Sequence, residues 1–117
     1  MRHKESSLQI ACVRWFRHQY PNYLLFAIPN GGNRNPITGA ILKAEGVLTG
    51  VPDLFIACAN FHHYGLFIEM KSDKGKLSES QIYIRSKLEL KGYCVEVCNS
   101  IESFQTAVNK YLNDYKP

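Results

Sequence analysis

Between Glu5 and Tyr20 the larger apolar residues Leu8, Cys12, Trp15 and Phe16 recur at helical spacing, and Pro21-Asn22 then breaks the pattern. This predicts a first helix. Residues 24–28 read as a short buried strand, and the polar run from Asn30 to Asn35 reads as a loop. Asn35 can cap a short helix with Pro36 at its first position, ending near Gly46. Two strands follow, 51–58 and 65–71, joined as a hairpin by the polar, aromatic stretch 59–64. Ser78 and Gln81 have capping-box spacing at the start of a helix running to Lys91, and Gly92 is placed to stop it. A strand is expected over 93–98, and Ser100 can cap a last helix carrying Ile101, Phe104, Val108 and Leu112 on one side.

The resulting order is helix, strand, short helix, strand, strand, helix, strand, helix. Such a mixture predicts an α/β fold with a central mixed β-sheet and helices covering both of its faces. A chain of 117 residues with 45% hydrophobic content has the size of one domain with one modest core. No apolar run approaches the roughly 20 residues needed to span a bilayer, and the amphipathic start does not resemble a signal-peptide core. A soluble, cytoplasmic protein is therefore expected.

Composition adds little to this. Cys12, Cys58, Cys94 and Cys98 sit among apolar residues without CxxC spacing, which predicts buried free thiols in place of a zinc knuckle. The formal net charge of +4 suits a polyanionic partner and equally an ordinary soluble protein.

The chemistry lies in the hairpin. Side chains two apart on a strand share a face, so Glu69 and Lys71 project with Phe67, while Leu66, Ile68 and Met70 project to the other side as core. Opposite charges at the end of an apolar strand are costly unless solvated, paired or used. If Cys58 faces Tyr64 across the hairpin, Asp53 lies directly opposite Glu69 on the same face. Opposed carboxylates repel. A divalent cation removes the repulsion, and Mg²⁺ is commonly held by one or two carboxylates with waters and phosphate oxygens. Lys71 could then hold or deprotonate an attacking water, or stabilise charge on a phosphate. Taken singly, Asp53 could be a turn-forming aspartate and Glu69 with Lys71 a surface ion pair.

Val51-Pro52-Asp53 followed by Glu69-Met70-Lys71 resembles the PD-(D/E)xK nuclease signature. The flanking Pro29-Asn30-Gly31, Gly46, Gly50, Leu54, Gly75-Lys76-Leu77-Ser78 and Gln81 make the chain similar to the VRR-NUC branch of that superfamily, from about Glu5 to Ser100. The resemblance implies a restriction-endonuclease-like fold and Mg²⁺-dependent DNA hydrolysis, with Mn²⁺ as a substitute ion, leaving a 5′-phosphate and a 3′-hydroxyl. It implies metal bound by Asp53, Glu69 and the backbone carbonyl of Met70, with Lys71 assisting catalysis. Glu5 matches an acidic residue of the family's first helix and lies on the buried stripe with Leu8 and Cys12, although an N-terminal Glu can also serve the helix dipole. Gln81 matches a family position near the site and also completes the capping box. Stand-alone relatives, of bacterial or phage type, imply a homodimer acting on branched DNA such as four-way junctions.

Lys74 and Lys76, beside Gly75, are candidates for phosphate contacts, with Arg34 and Lys43 after them and Arg14 and Arg17 weaker still. His62 and His63 are expected to be exposed on the hairpin tip, and Trp15 and Phe16 to be core. An inactive DNA-binding module of the same fold, or a nuclease subunit of a larger restriction or replication assembly, are the rival readings. An intact Asp53, Glu69 and Lys71 argues against the first.

Overall fold

The strand Leu54–Ile56 (β2) runs antiparallel to Leu66–Met70 (β3) with Leu54 opposite Ile68 and Ile56 opposite Leu66, the register that sets Asp53 opposite Glu69. The structure is a computed structural model that describes residues 2–29, 35–72 and 75–114. Leu25–Ala27 (β1) pairs antiparallel with the other edge of β2, and Cys94–Cys98 (β4) pairs parallel with β3, giving the order β1-β2-β3-β4. Helices Arg2–Gln19 (α1), Pro36–Ala44 (α2), Glu79–Leu90 (α3) and Ile101–Asn113 (α4) complete the expected mixed α/β fold. Parallel strands cannot be joined by a tight turn, and α3 supplies the crossover from β3 to β4.

The period-2 alternation of the hairpin decides which face becomes core. Leu54, Ile56, Leu66, Ile68 and Met70 are buried together with Leu25 and Cys98, and they pack on Cys12 and Phe16 of α1 and on Phe104, Val108, Tyr111 and Leu112 of α4. Each such aliphatic side chain contributes about 1.5–3 kcal/mol on burial. Trp15 packs edge-on against Phe104 at 6.0 Å, so both aromatic residues of α1 serve the core as expected.

The opposite face is covered only in part, not by helices throughout. Here α3 lies over β4, where Val95 is buried and Arg85 Nη2 donates to its carbonyl at 3.2 Å. Toward β1 the face carries a row of rings, Tyr93, Phe67, Phe55 and Phe26, with centroids 5.5, 4.4 and 5.7 Å apart in turn. The expectation of a buried first strand fails for the same reason. Leu25 is buried, but Leu24 and Phe26 are exposed because β1 is a sheet edge with a helix on one side only. No residue of α2 is buried.

Local signals placed the ends of the helices. Asn35 Oδ1 accepts from Thr38 N at 2.8 Å with Pro36 beginning α2. At α3, Ser78 Oγ accepts from Gln81 N at 3.2 Å and Gln81 Oε1 accepts from Ser78 N at 2.8 Å, the expected capping box. Gly92 ends that turn at φ +95°, with the Tyr64 ring filling the space a β-carbon would need. Ser100 caps α4 by accepting from Ser103 N at 3.0 Å.

Both hairpin strands are shorter than expected because a side chain organises the connection. Asn60 Oδ1 accepts from the backbone N–H groups of His62 and His63, and its Nδ2 donates to Tyr111 O at 3.1 Å. His62 is exposed as expected, whereas His63 is half-buried with its ring beside Tyr111. The four cysteines are free, as expected, but only Cys12 and Cys98 are buried and Cys58 and Cys94 are half-buried. Among the described residues, no helix is long and apolar enough to cross a membrane.

Candidate active site

Glu69 is 4% exposed although it is a carboxylate on the strand face turned away from the main core. Sheet pairing forces it there: Leu66, Ile68 and Met70 must enter the core, so Glu69 must take the other side. There it stands across the β2–β3 register from Asp53, whose charge disfavours its ionisation. Asp53 Oδ2 accepts from Met70 N at 2.7 Å, which fixes the head of β2 against the end of β3.

Gln81 supports Glu69 from the neighbouring helix. Its Nε2 donates to Glu69 Oε2 at 2.9 Å while its Oε1 caps α3. The cap expected of this residue and its bond to Glu69 are therefore made by the same amide. The other oxygen, Glu69 Oε1, is buried and accepts no hydrogen bond. A buried lone pair with no donor is costly, which marks where a positive ligand or a proton is wanted.

The electrostatics agree. Burial, then the neighbouring Asp53, push the Glu69 carboxyl up to about 8, with Lys71 acting in the opposite sense. Burial likewise raises Asp53 above the usual carboxylate range, while the Met70 N–H and Lys71 pull it down. Two carboxylates sharing a dry site cannot both ionise without a cation. Lys71 supplies one charge close by, and its stem lies against Gly75, whose N–H donates to Ser72 O at 3.0 Å.

The Met70 carbonyl is also turned to this side. Lys71 N donates across to Cys98 O of β4 at 3.0 Å, and a trans peptide sets the preceding carbonyl in the opposite direction, toward β2 and Asp53. Glu5 reaches the same place from the first turn of α1, where its Oε2 accepts from Ser72 N at a long 3.4 Å and its charge raises both site carboxyls. Among the described residues no three acidic, imidazole or thiol side chains converge closely enough to cage an ion. The donor set is thus two carboxylates and a carbonyl with Glu5 further out, which fits Mg²⁺, an ion that keeps several waters.

Lys76 and Lys43 are exposed, the first just before α3 and the second in the last turn of α2. Lys74 and Arg34 lie outside the described residues. Arg14 is exposed, and Arg17 Nη2 donates to Leu25 O at 3.2 Å, which ties α1 to the edge strand. The sequence placed Phe67 on the face of Glu69, but the Ser72 N–H that meets Glu5 and the ring of Phe55, one strand step from Asp53, were not singled out there. The parity that placed the carboxylates on one face places these rings there too.

A solved structure described as a VRR_NUC domain protein superposes with a TM-score of 0.77 and 24% identity, covering 93% of this chain and 88% of that one. No curated protein of established function matches the sequence. The family model for the VRR-NUC domain matches residues 3–102, and with that match spanning the sheet, α3 and both site carboxylates, the chain belongs to the VRR-NUC domain family.

Proposed function

We propose that the protein is a Mg²⁺-dependent DNA endonuclease that hydrolyses phosphodiester bonds at the Asp53–Glu69 pair. The observation that carries this reading is the buried, unpartnered Glu69 Oε1 beside a second carboxyl group and a lysine. Asp53, Glu69 and the Met70 carbonyl would hold the ion, and Glu5 would reach it through water. Bound there, Mg²⁺ supplies positive charge for the scissile phosphate and lowers the cost of deprotonating water. Lys71 positions the attacking water or accepts its proton and stabilises charge on the phosphate. Gln81 orients Glu69. Lys76 and Lys43 are the described candidates for phosphate contacts, and Lys74 and Arg34 are proposed for the same role.

One chain has one such pair and cuts one strand. Two strands of a symmetric branched substrate, such as a four-way junction, would be nicked by a homodimer with two centres.

The test is incubation of the purified protein with plasmid, linear duplex, flap and four-way-junction DNA, in Mg²⁺, in Mn²⁺ and in EDTA. Cleavage is expected with either metal and none in EDTA. Asp53→Asn, Glu69→Gln and Lys71→Ala should each remove it while leaving DNA binding in place, and Glu5→Gln should lower the rate by less. Wild-type rates in any of the first three would remove that residue from the site, and cleavage of linear duplex as fast as the junction would remove the branched-substrate preference.

A further inference from the structure

Phe55 and Phe67 face each other across the β2–β3 register, two residues from Asp53 and Glu69 respectively and on the same side of the sheet. Their rings lie against each other with centroids 4.4 Å apart and a tilt of 35°, and both residues are half-buried. Gly65 makes room for this arrangement. A β-carbon there would stand 2.7 Å from the Cε1 and Cζ atoms of Phe55, so the ring lies over the glycine. Gly65 is on the side of Phe67 away from Glu69, and the Phe55 ring therefore leans away from the carboxylates instead of over them.

A DNA strand with a phosphate at the Asp53–Glu69 pair has a nucleotide on either side of that phosphate, and the spacing decides what the rings can take from it. Two residues of β-strand span about 6.6 Å, which is the step from the level of the carboxylates to the level of the rings. Stacked duplex DNA advances only about 3.4 Å per nucleotide of each strand. The adjacent nucleotide thus reaches the rings only when it has left the stack, and its base then offers a bare apolar face. Phe55 and Phe67 carry neither charge nor hydrogen-bonding group, so they suit that face and not the phosphate. Aromatic side chains beside a backbone-binding site hold unpaired bases in this way whatever the base, because every base has a π-face. A base still paired in a duplex has both faces covered by its neighbours and gains nothing from the rings.

We infer that the Phe55–Phe67 pair stacks on the base of the nucleotide next to the scissile phosphate, so that the substrate is a strand unpaired at the point of cleavage. This rests on the reading that a phosphodiester lies at Asp53 and Glu69, and it narrows that reading from branched DNA in general to DNA with a free base at the cut.

The test uses a single-stranded oligonucleotide, a series of copies in which one nucleotide at a time is abasic, and the fully paired duplex of the same sequence. Cleavage is measured in Mg²⁺ and equilibrium binding in Ca²⁺, for the full-length wild type and for Phe55→Leu and Phe67→Leu, which keep apolar bulk and remove the ring. Wild type should cut a given bond with kcat/KM at least about fivefold lower when the nucleotide on one side of it is abasic, and should bind that strand correspondingly less well. In each leucine variant the ratio between intact and abasic strands should fall toward one. The ratio is the readout because a loss of folded protein lowers both rates alike. A ratio of one in wild type, a ratio that the variants leave intact while both rates fall, or duplex cut as fast as the single strand would each overturn the inference and leave the nuclease reading standing. Base-dependent binding that follows the rings, without cleavage of any strand, would keep the inference and remove the nuclease reading. Neither base-dependent binding nor cleavage would remove both.

Discussion

Gln81 Nε2 donates to Glu69 Oε2 at 2.9 Å, so the amide that closes the capping box of α3 also holds one of the two site carboxyl groups. Helix start and site are therefore mechanically one unit. Gln81→Ala removes both bonds, and a cap of this kind contributes about 1 kcal/mol. The variant should unfold at lower urea concentration. It should also need more Mg²⁺ for half-maximal cleavage while approaching the wild-type rate at saturating Mg²⁺, because Glu69 remains but is no longer oriented. A purely structural cap would change the urea midpoint and leave the metal titration untouched.

The raised Glu69 carboxyl couples stability to pH and, on the proposed reading of the site, to metal. Its ordinary value is 4.5 and its folded value about 8, so the folded state holds a proton that the unfolded state releases. The stability this contributes is fully present below about pH 4.5 and is lost as pH rises through about 8. In EDTA, the melting temperature of wild type relative to Glu69→Gln should therefore fall from pH 5 to pH 8. On the proposed Mg²⁺ reading the ion takes the place of that proton, so the gain on adding Mg²⁺ or Mn²⁺ should grow over the same range. A metal-induced gain equal at pH 5.5 and pH 8, or one that survives in Glu69→Gln, would place the ion elsewhere.

Gly50 sets the approach of the Asp53 segment to α3. Its φ is +100°, and a β-carbon there would stand 2.6 Å from Ser80 O and 3.1 Å from Ile84 Cγ1. Backbone in this region costs an L-residue about 1–3 kcal/mol before any clash is counted. Gly50→Ala should thus be among the more destabilising single changes outside the core and should weaken metal binding by moving Asp53 away from Glu69. Gly39 has no atom within 4 Å of its would-be β-carbon and lies inside α2, so Gly39→Ala should be neutral or slightly stabilising. Thermal unfolding of both variants checks the contrast, and equal losses would refute this account of Gly50.

How much of this was legible in the sequence follows from the range of each interaction. Capping at Asn35, Ser78 and Ser100 depends on three-residue spacings, and all three caps are formed. The Asp53–Glu69 register depends only on strand parity and loop length, and it too could be read. The bare β1 face could not be, since whether Phe26 is covered depends on where α2 goes, and nothing local to either element says so. His63 was misplaced for a similar reason: its partner Tyr111 lies 48 residues further along, and the contact arises from Asn60 bridging the hairpin to α4. The orphan state of Glu69 Oε1 required three elements at once, β2, β3 and α3.

Binding to DNA should be steeply salt-dependent if exposed lysines carry it, since each neutralised phosphate releases counterions and adds about 0.9 to the slope of log affinity against log salt on duplex DNA. The measurement belongs in Ca²⁺, which takes oxygen ligands as Mg²⁺ does but with longer bonds and looser geometry. Lys76 is exposed immediately before the helix that carries Gln81, so Lys76→Ala should lower the slope by about one phosphate's worth. Lys43 is exposed in the last turn of α2, and Lys43→Ala should lower the slope by a similar amount; an unchanged slope would remove it from the DNA-facing set. An affinity insensitive to salt from low to physiological concentration would mean that the formal charge of +4 is not organised into a DNA-facing surface at all.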